Sequence, residues 1–436
     1  MVAKRCDKEG PVESPNEISA PAGTVAPEEP NEAAAVSEAP AADAPAADAL
    51  PADAPAAGAP AADGSKAPMA AAPEAAPRVS LLMPVMNVER YLPESLASAR
   101  AQTLADIEII CIDDGSTDGS LAIMRAAAEE DGRIRVIEKA NSGYGDSMNR
   151  ALDLARGTYI GILEPDDIMY PESLERLVAA AEAAQAEVAK GNFELYWTSP
   201  SERVEFFEVA DNARCAAPSR PLDDPFIFYQ KPSIWSAVYR RDFLEHHGIR
   251  FLPTPGASFQ DCSFSFKVFA SAARVVYVHD SMLRYRQDNE GSSVNARNKV
   301  FCTCDEYAEI ERWIAGEFTS EHGEAAARDL MRVEQVAKYD SYMWSYVRLA
   351  PEFRVMFLER MAGEFTAALD AGWFELDDLK PWKRANLAAI MRDPTGWVRD
   401  NASYAAAGPF GRMMHYLKLG GPGLLVSYAL NRVRHE

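Results

Sequence analysis

The sequence predicts an α/β protein, a mostly parallel sheet with flanking helices, followed by a predominantly helical C-terminal region. Three observations predict it. Strand-like and helix-like segments alternate four times between residues 79 and 181, with short links, as right-handed βαβ units do. Several of the strand-like runs end abruptly in acidic or polar loops, the edge where open α/β sheets bind ligands. From about Asn298 the strand pattern gives way to helical periodicity.

The elements follow in order. Val79 to Val85 reads as a buried strand, and Val88, Tyr91, Leu92, Leu96 and Ala99 stand at helical spacing after it. Ile107 to Ile112 is a near-continuous β-branched run, as expected of a parallel strand covered on both faces. Ser116 or Thr117 is expected to cap the next helix, whose apolar side is Leu121, Met124 and Ala128. Ile134 to Ile137 and Tyr159 to Leu163 complete four strands, with a helix through Met148, Ala151, Leu152 and Ala155 between them. Pro171 is expected at the start of a helix carrying Leu174, Leu177, Val178 and Ala181. Val188 to Trp197 and Arg203 to Val209 read as partly antiparallel strands. Ile234 to Phe243 and Phe259 to Phe269 read as partly helical, and Arg274 to Tyr285 as strands around a turn.

Composition sets the outer bounds. The chain has 436 residues, 48% of them apolar, with a net charge of -22. That charge excludes wholesale attraction to nucleic acid. Residues 1–78 hold 13 of the 29 prolines and 13 acidic against 5 basic side chains, with no aromatic residue. Such a segment cannot bury enough apolar surface to offset its ordering entropy, so a disordered tail is expected there. The organisation expected is this tail, a catalytic-type domain over 79–295 and a helical region over 296–436. No run is long and apolar enough for a membrane span or a signal peptide, and six scattered cysteines fit a reduced, cytoplasmic setting. Cys302 and Cys304, the only close pair, are expected to pack in a helix rather than to hold a metal. The basic, amphipathic C-terminus, from Arg412 through Arg434, is expected to pack on its own domain. An anionic membrane surface is the alternative partner.

The residues that bear chemistry converge. Glu164, Asp166 and Asp167 sit at the end of the fourth strand, and hard oxygen ligands of this kind suit Mg2+ or Mn2+ completed by a substrate phosphate. The loops Pro84–Asn87, Asp113–Asp114 and Asn141–Gly145 fall on the same sheet edge, with Asp261 downstream. Acids that must bind an anionic ligand need a cation between them, which favours a metal–diphosphate ligand. Trp235 and Tyr239 are expected in the core rather than under a sugar. The dinucleotide fingerprint and the P-loop are both absent.

In order and spacing, Pro84-Val85-Met86-Asn87, Asp113-Asp114-Gly115-Ser116-Thr117-Asp118, Asn141-x-Gly143, Gly157-Thr158-Tyr159-Ile160 and Glu164-Pro165-Asp166-Asp167 resemble family 2 glycosyltransferases of the GT-A fold, over roughly residues 79 to 290. The relatives implied build bacterial capsule, lipopolysaccharide or cell-wall glycans. The resemblance implies a nucleotide-sugar donor, with Asp114 accepting from uracil and Pro84, Val85, Asn87, Asp113, Asn141, Gly143, Glu164 and Arg286 around the donor. It implies Asp166 and Asp167 on Mn2+ or Mg2+, Asp261 as the general base of an inverting transfer, and a glycan or lipid-linked acceptor. Two positions depart from the family's pattern: Glu164 and Gln260 stand where the family commonly has Asp and Glu. Loss of a negative charge at Gln260 eases ionisation of Asp261. Two alternatives stay open: a non-catalytic binding scaffold on the same fold, and a sugar-phosphate nucleotidyltransferase. The second normally carries a Gly-rich basic loop that Pro84–Arg90 is not.

Overall fold

The computed structural model describes residues 76–257, 259–291, 297, 299–406 and 408–433. The expected disordered tail lies outside them except for its last three residues, as does Arg434.

β-Branched and large aliphatic residues make β1 (Val79–Val85) and β2 (Ile107–Asp113) buried along their whole length. Leu81, Leu82, Ile109 and Ile110 are wholly removed from solvent, each worth about 1.5–3 kcal/mol. Helix α1 (Leu92–Arg100) turns Leu92, Ser95, Leu96 and Ala99 onto the sheet, and Pro93 sits in its first turn. Helix α2 (Ser120–Glu130), β3 (Ile134–Glu138), α3 (Tyr144–Leu154) and β4 (Tyr159–Ile162) follow, and β3, β2, β1 and β4 pair in parallel in that order. All four strands therefore deliver their C-terminal loops to one edge.

The second half of the sheet is mixed. A two-residue β5 (Ile168–Met169) and α4 (Ser173–Ala184) precede the long β6 (Val188–Trp197), which pairs antiparallel with β7 (Arg203–Phe207). Strand β8 (Ala237–Arg240) runs antiparallel to both β4 and β6 and joins the two halves. Helices α5 (Arg241–His246) and α6 (Asp261–Ser271) then lead to β9 (Val275–Arg286), parallel to β6. The sheet has nine strands, ordered β3-β2-β1-β4-β8-β6-β9-β5, with β7 on β6.

Helices complete the chain: α7 (Cys302–Trp313), a π-wound passage over Ile314–Phe318, α8 (Thr319–Arg348), α9 (Arg354–Asp370), α10 (Pro381–Arg392), α11 (Pro394–Ala406) and α12 (Gly408–Val433), kinked at Gly420 and Gly421. Helix α7 is tied to α6. The Glu306 carboxylate accepts the Ser263 N–H at 3.2 Å, and Lys267 pairs with Glu309 at 3.2 Å. Cys304 is buried in α7 and Cys302 half-buried, both as free thiols. His415 and Tyr416 of α12 are buried, with His415 bonded to Asn386 at 3.2 Å and Tyr416 edge-on to Trp382. The amphipathic C-terminus thus packs through these residues on its own helices. Among the described residues, no helix is long and apolar enough to cross a membrane.

Four local expectations are corrected. Helix α2 begins at Ser120, not after Ser116 or Thr117. Its first amides are taken by the carboxylates of Glu89 and Asp118, because the Ser116 and Thr117 hydroxyls are turned toward Asn87. Helix α4 begins at Ser173, with the Pro171 carbonyl instead accepting from the Thr103 N–H. The segment 234–243 is partly helical as expected, over Ile234–Ser236 and from Arg241, but between these it also contains a sheet strand, β8, that its mixed composition hides. Arg274–Tyr285 is one irregular strand rather than a hairpin, its polar middle absorbed by register shifts against β6.

Gly145 marks a close approach. The segment 252–256 lies so tightly on the first turn of α3 that a Cβ there would overlap the Leu252 carbonyl. Gly145→Ala is expected to cost about 2–3 kcal/mol or more, measured as a lowered urea midpoint with unchanged slope; a change under about 0.5 kcal/mol contradicts the packing described.

Candidate active site

A cavity of about 510 Å³ opens at the C-terminal ends of β1, β2 and β4. One side is the turn Pro84, Val85, Met86 and Asn87; another is Glu164, Pro165 and Asp166; a third is Phe259, Gln260 and Asp261, with Trp235 and Tyr285 between. The parallel strands and the loop before α6 therefore bring Pro84, Val85, Asn87, Asp114, Glu164, Asp166 and Asp261 together. Asp113, Asn141, Gly143, Asp167 and Arg286 are not part of its lining among the described residues.

Those five support the lining ones. Asp113, buried, accepts the Ser116 N–H at 3.3 Å and shapes the turn after β2. Gly143, at φ 99°, caps α3, and its N–H and that of Ser142 donate to Asp114 at 3.0 and 2.9 Å. The Lys139 ammonium donates to the same carboxylate at 2.5 Å. A carboxylate offers about four acceptor sites, so Asp114 retains capacity for one more donor. Asn141 donates to the Met86 sulfur at 2.8 Å. Asp167 is wholly buried, one oxygen accepting the Arg286 N–H at 2.8 Å and the other without a partner.

Arg286 is itself buried. Its guanidinium donates to the Asp166 carbonyl at 2.9 Å and pairs with Glu94 at 2.6 Å. It ties down the loop that carries Asp166 through Nε and Nη2, while Nη1 lies 3.8 Å from the Asp288 carboxylate. Asp166 presents its carboxylate to the cavity, with one oxygen accepting from Asn289 at 2.7 Å.

Burial dominates the electrostatics. It pushes the Glu164 carboxyl up to about 8, with Asp166 and Asp261 adding to the rise and the Tyr144 hydroxyl, 2.7 Å away, opposing it. Asp166 and Asp167 are raised by the same cause. Burial lifts Asp261 to about 6, and Lys231 and the N–H groups of Asp261 and Cys262 hold it from rising further. Carboxyls strained upward by burial and by each other are the donor set that a divalent cation relieves. Among the described residues, no three His, Cys, Asp or Glu side chains converge as a ready-made metal centre. Asp166 facing the cavity fits the habit of Mg2+, which takes one or two carboxylates and fills its shell from substrate phosphates and water.

The loop before α6 is held in an uncommon geometry. Phe259 adopts φ 65°, a left-handed conformation costing about 1–3 kcal/mol in a non-glycine residue. The Gln260 side chain explains why an amide stands there. Its NH2 donates to Thr254 Oγ1 at 2.8 Å and to the Gly256 carbonyl at 3.0 Å, and an ionised carboxylate could not satisfy the carbonyl. Tyr239 is core, bonded to the Ile234 carbonyl at 2.7 Å, as expected. Trp235 is 5% exposed and stacked on Tyr285, yet its edge reaches the cavity. Sequence reasoning missed Tyr144 and Lys231. Tyr144 carried a faint signal, an aromatic residue directly after the Asn141-x-Gly143 turn.

A mixed, mostly parallel sheet with acids gathered at its carboxyl edge and helices behind is the GT-A class of fold. Residues 80–209 match the model of "Glycosyl transferase family 2", so this part of the chain carries a domain of that type. It is 31% identical over 225 residues to the uncharacterized glycosyltransferase EpsJ of Bacillus subtilis (strain 168), covering 49% of this chain and 62% of that protein. It is 28% identical over 274 residues to the succinoglycan biosynthesis protein ExoU of Rhizobium meliloti (strain 1021), covering 59% of this chain and 75% of that one. The chain thus spans about three fifths of the length of the Bacillus relative. The crystal structure of S. aureus TarS 1-349 in complex with UDP-GlcNAc superposes with a TM-score of 0.59 at 19% identity, over 76% of this chain and 92% of that one, a likeness of fold.

Proposed function

We propose that the chain is an inverting, metal-dependent glycosyltransferase moving a sugar from a nucleotide-sugar, a UDP-sugar, to a glycan or lipid-linked acceptor in surface polysaccharide synthesis. The observation that carries this reading is one cavity faced by Asp114 and the Pro84–Asn87 turn, by Glu164 and Asp166, and by Asp261. The family, the printed role of ExoU and the UDP-GlcNAc complex of the TarS neighbour support it.

In this reading the Pro84–Asn87 turn and Asp114 hold the nucleoside, the one remaining acceptor site of Asp114 suiting the ring N–H of uracil. Asp166, with Glu164 beside it, holds Mn2+ or Mg2+, which when bound neutralises negative charge on the departing nucleoside diphosphate. Asp167 and Arg286 fix the loop that presents Asp166. Asp261 takes the proton from the acceptor hydroxyl as that oxygen bonds to the anomeric carbon. The bond from that carbon to the diphosphate breaks on the opposite face, its electron pair leaving with the diphosphate, so the configuration inverts. The reading implies the cytoplasm as the place of action.

Incubation with a panel of nucleotide sugars and Mn2+ tests it. Release of nucleoside diphosphate from one of them, abolished by EDTA, is expected. Release from none, together with binding of no nucleoside diphosphate, contradicts it and favours the binding scaffold.

A further inference from the structure

The end of α8 packs behind one wall of the cavity. The Trp344 ring stands edge-on to Phe259, with 5.7 Å between ring centres, and Phe259 lines the cavity. The Arg348 guanidinium lies over Trp344, 3.6 Å from the ring centre. From the other side, the Lys231 ammonium lies 4.0 Å from the centre of the Tyr285 ring, another wall of the cavity.

Both cations lack the carboxylate partner that two other cations at the site have. Lys139 is paired with Asp114 and Arg286 with Glu94. Among the described residues, neither Lys231 nor Arg348 makes an ion pair within 4.0 Å. This is notable in a chain with 66 acidic and 44 basic side chains, where carboxylates are in surplus. Arg348 spends one N–H on the Trp344 carbonyl at 3.0 Å. A guanidinium flat on an indole keeps its edge donors available for the paired oxygens of an anion. The two cations also repel. Burial lowers Lys231 to about 8, and Arg348 pushes it the same way against Asp261 and Asp167; burial lowers Arg348 to about 10, opposed by the Tyr285 phenol alone. Two half-buried cations placed within each other's field are stabilised together by an anion between them.

We propose that Lys231 and Arg348 form an anion clamp at the Asp261 side of the cavity that takes a phosphoryl group of the bound substrate. The proposal rests on the transferase reading and deepens it. The phosphoryl group comes either from the donor diphosphate or from a phosphate-bearing acceptor. It also gives the helical region a part in the site, since Arg348 belongs to α8.

The test compares wild type with Lys231→Met and Arg348→Gln, which keep side-chain bulk, after thermal unfolding without ligand confirms that each is folded. Nucleoside diphosphates are screened on wild type first, and the one that binds is titrated calorimetrically beside its nucleoside. Inorganic diphosphate is then titrated onto protein saturated with the nucleotide. If the clamp takes the donor, nucleoside diphosphate affinity falls about tenfold or more, some 1.4 kcal/mol, while nucleoside affinity is unchanged. If it takes the acceptor, nucleotide affinity is unchanged and the inorganic diphosphate binding seen in wild type is lost in both variants. Unchanged binding of every probe, or equal weakening of nucleotide and nucleoside, overturns the clamp. A wild type that binds no nucleotide overturns the transferase reading itself.

Discussion

Asp261→Asn is expected to lower sugar transfer by about 100-fold to 10,000-fold, the range for removing a positioned general base, while nucleotide binding and folding persist. The asparagine fills the same volume at the head of α6 and still accepts the backbone N–H groups there, but it cannot take a proton. Wild-type activity carries a matching pH signature. Burial raises Asp261 to about 6. The base works ionised, so kcat/KM should be level above that value and fall tenfold per pH unit below it. Initial rates across pH 4.5–8 in both proteins check this. An unchanged rate in the variant, or an acid limb identical in both, removes Asp261 from the base role.

Asp114→Ala is expected to be the most destabilising single change at the site, about 3 kcal/mol. The Asp114 carboxylate is buried and accepts from Lys139, Ser142 and Gly143 at once. Removing one partner of a buried pair costs about 3–5 kcal/mol. The lower end applies because Lys139 keeps Asp146 at 3.2 Å. The Ser142 and Gly143 amides lose their acceptor too, so the cap of α3 loosens and carries Tyr144 out of place beside Glu164. Urea unfolding should show the loss, and nucleotide affinity should fall with it. A variant within about 1 kcal/mol of wild type contradicts the assignment of Asp114 as the anchor of this corner.

Much of the parallel half was legible because its signals are local. Strands β1 to β4 are short runs of β-branched and large aliphatic residues that end in turn residues, and each following helix repeats its apolar residues at 3.6. The loops that reach the cavity were legible for the same reason. The mixed half was not. Strand β8 has four residues, and it is a strand because β4 and β6 flank it, a fact of tertiary pairing that no local pattern carries. Strand β9 hides behind His279, Asp280 and Ser281, polar residues that read as a turn but fall where the register with β6 shifts. Site residues divide the same way. Asp166 and Asp261 sit in recognisable loops, whereas Lys231, between Gln230 and Pro232, owes its place to Tyr285 on β9. Arg286 shows the limit of motif reading: its charge was visible, but not that Glu94, 192 residues earlier, already holds it.

The central claim is that this cavity binds a nucleoside diphosphate through a divalent cation held at Asp166. Thermal unfolding of wild type and Asp166→Ala, with UDP alone and with UDP and Mn2+, tests it most directly. Ligand at about 100 times its Kd adds roughly 2.7 kcal/mol to the state that binds it, a shift of several degrees for a chain of this size. A shift in wild type that needs both UDP and Mn2+ and vanishes in Asp166→Ala is the expected result. A shift with UDP that is indifferent to Mn2+ and survives in Asp166→Ala contradicts the metal site, and no shift with any nucleoside diphosphate contradicts the transferase.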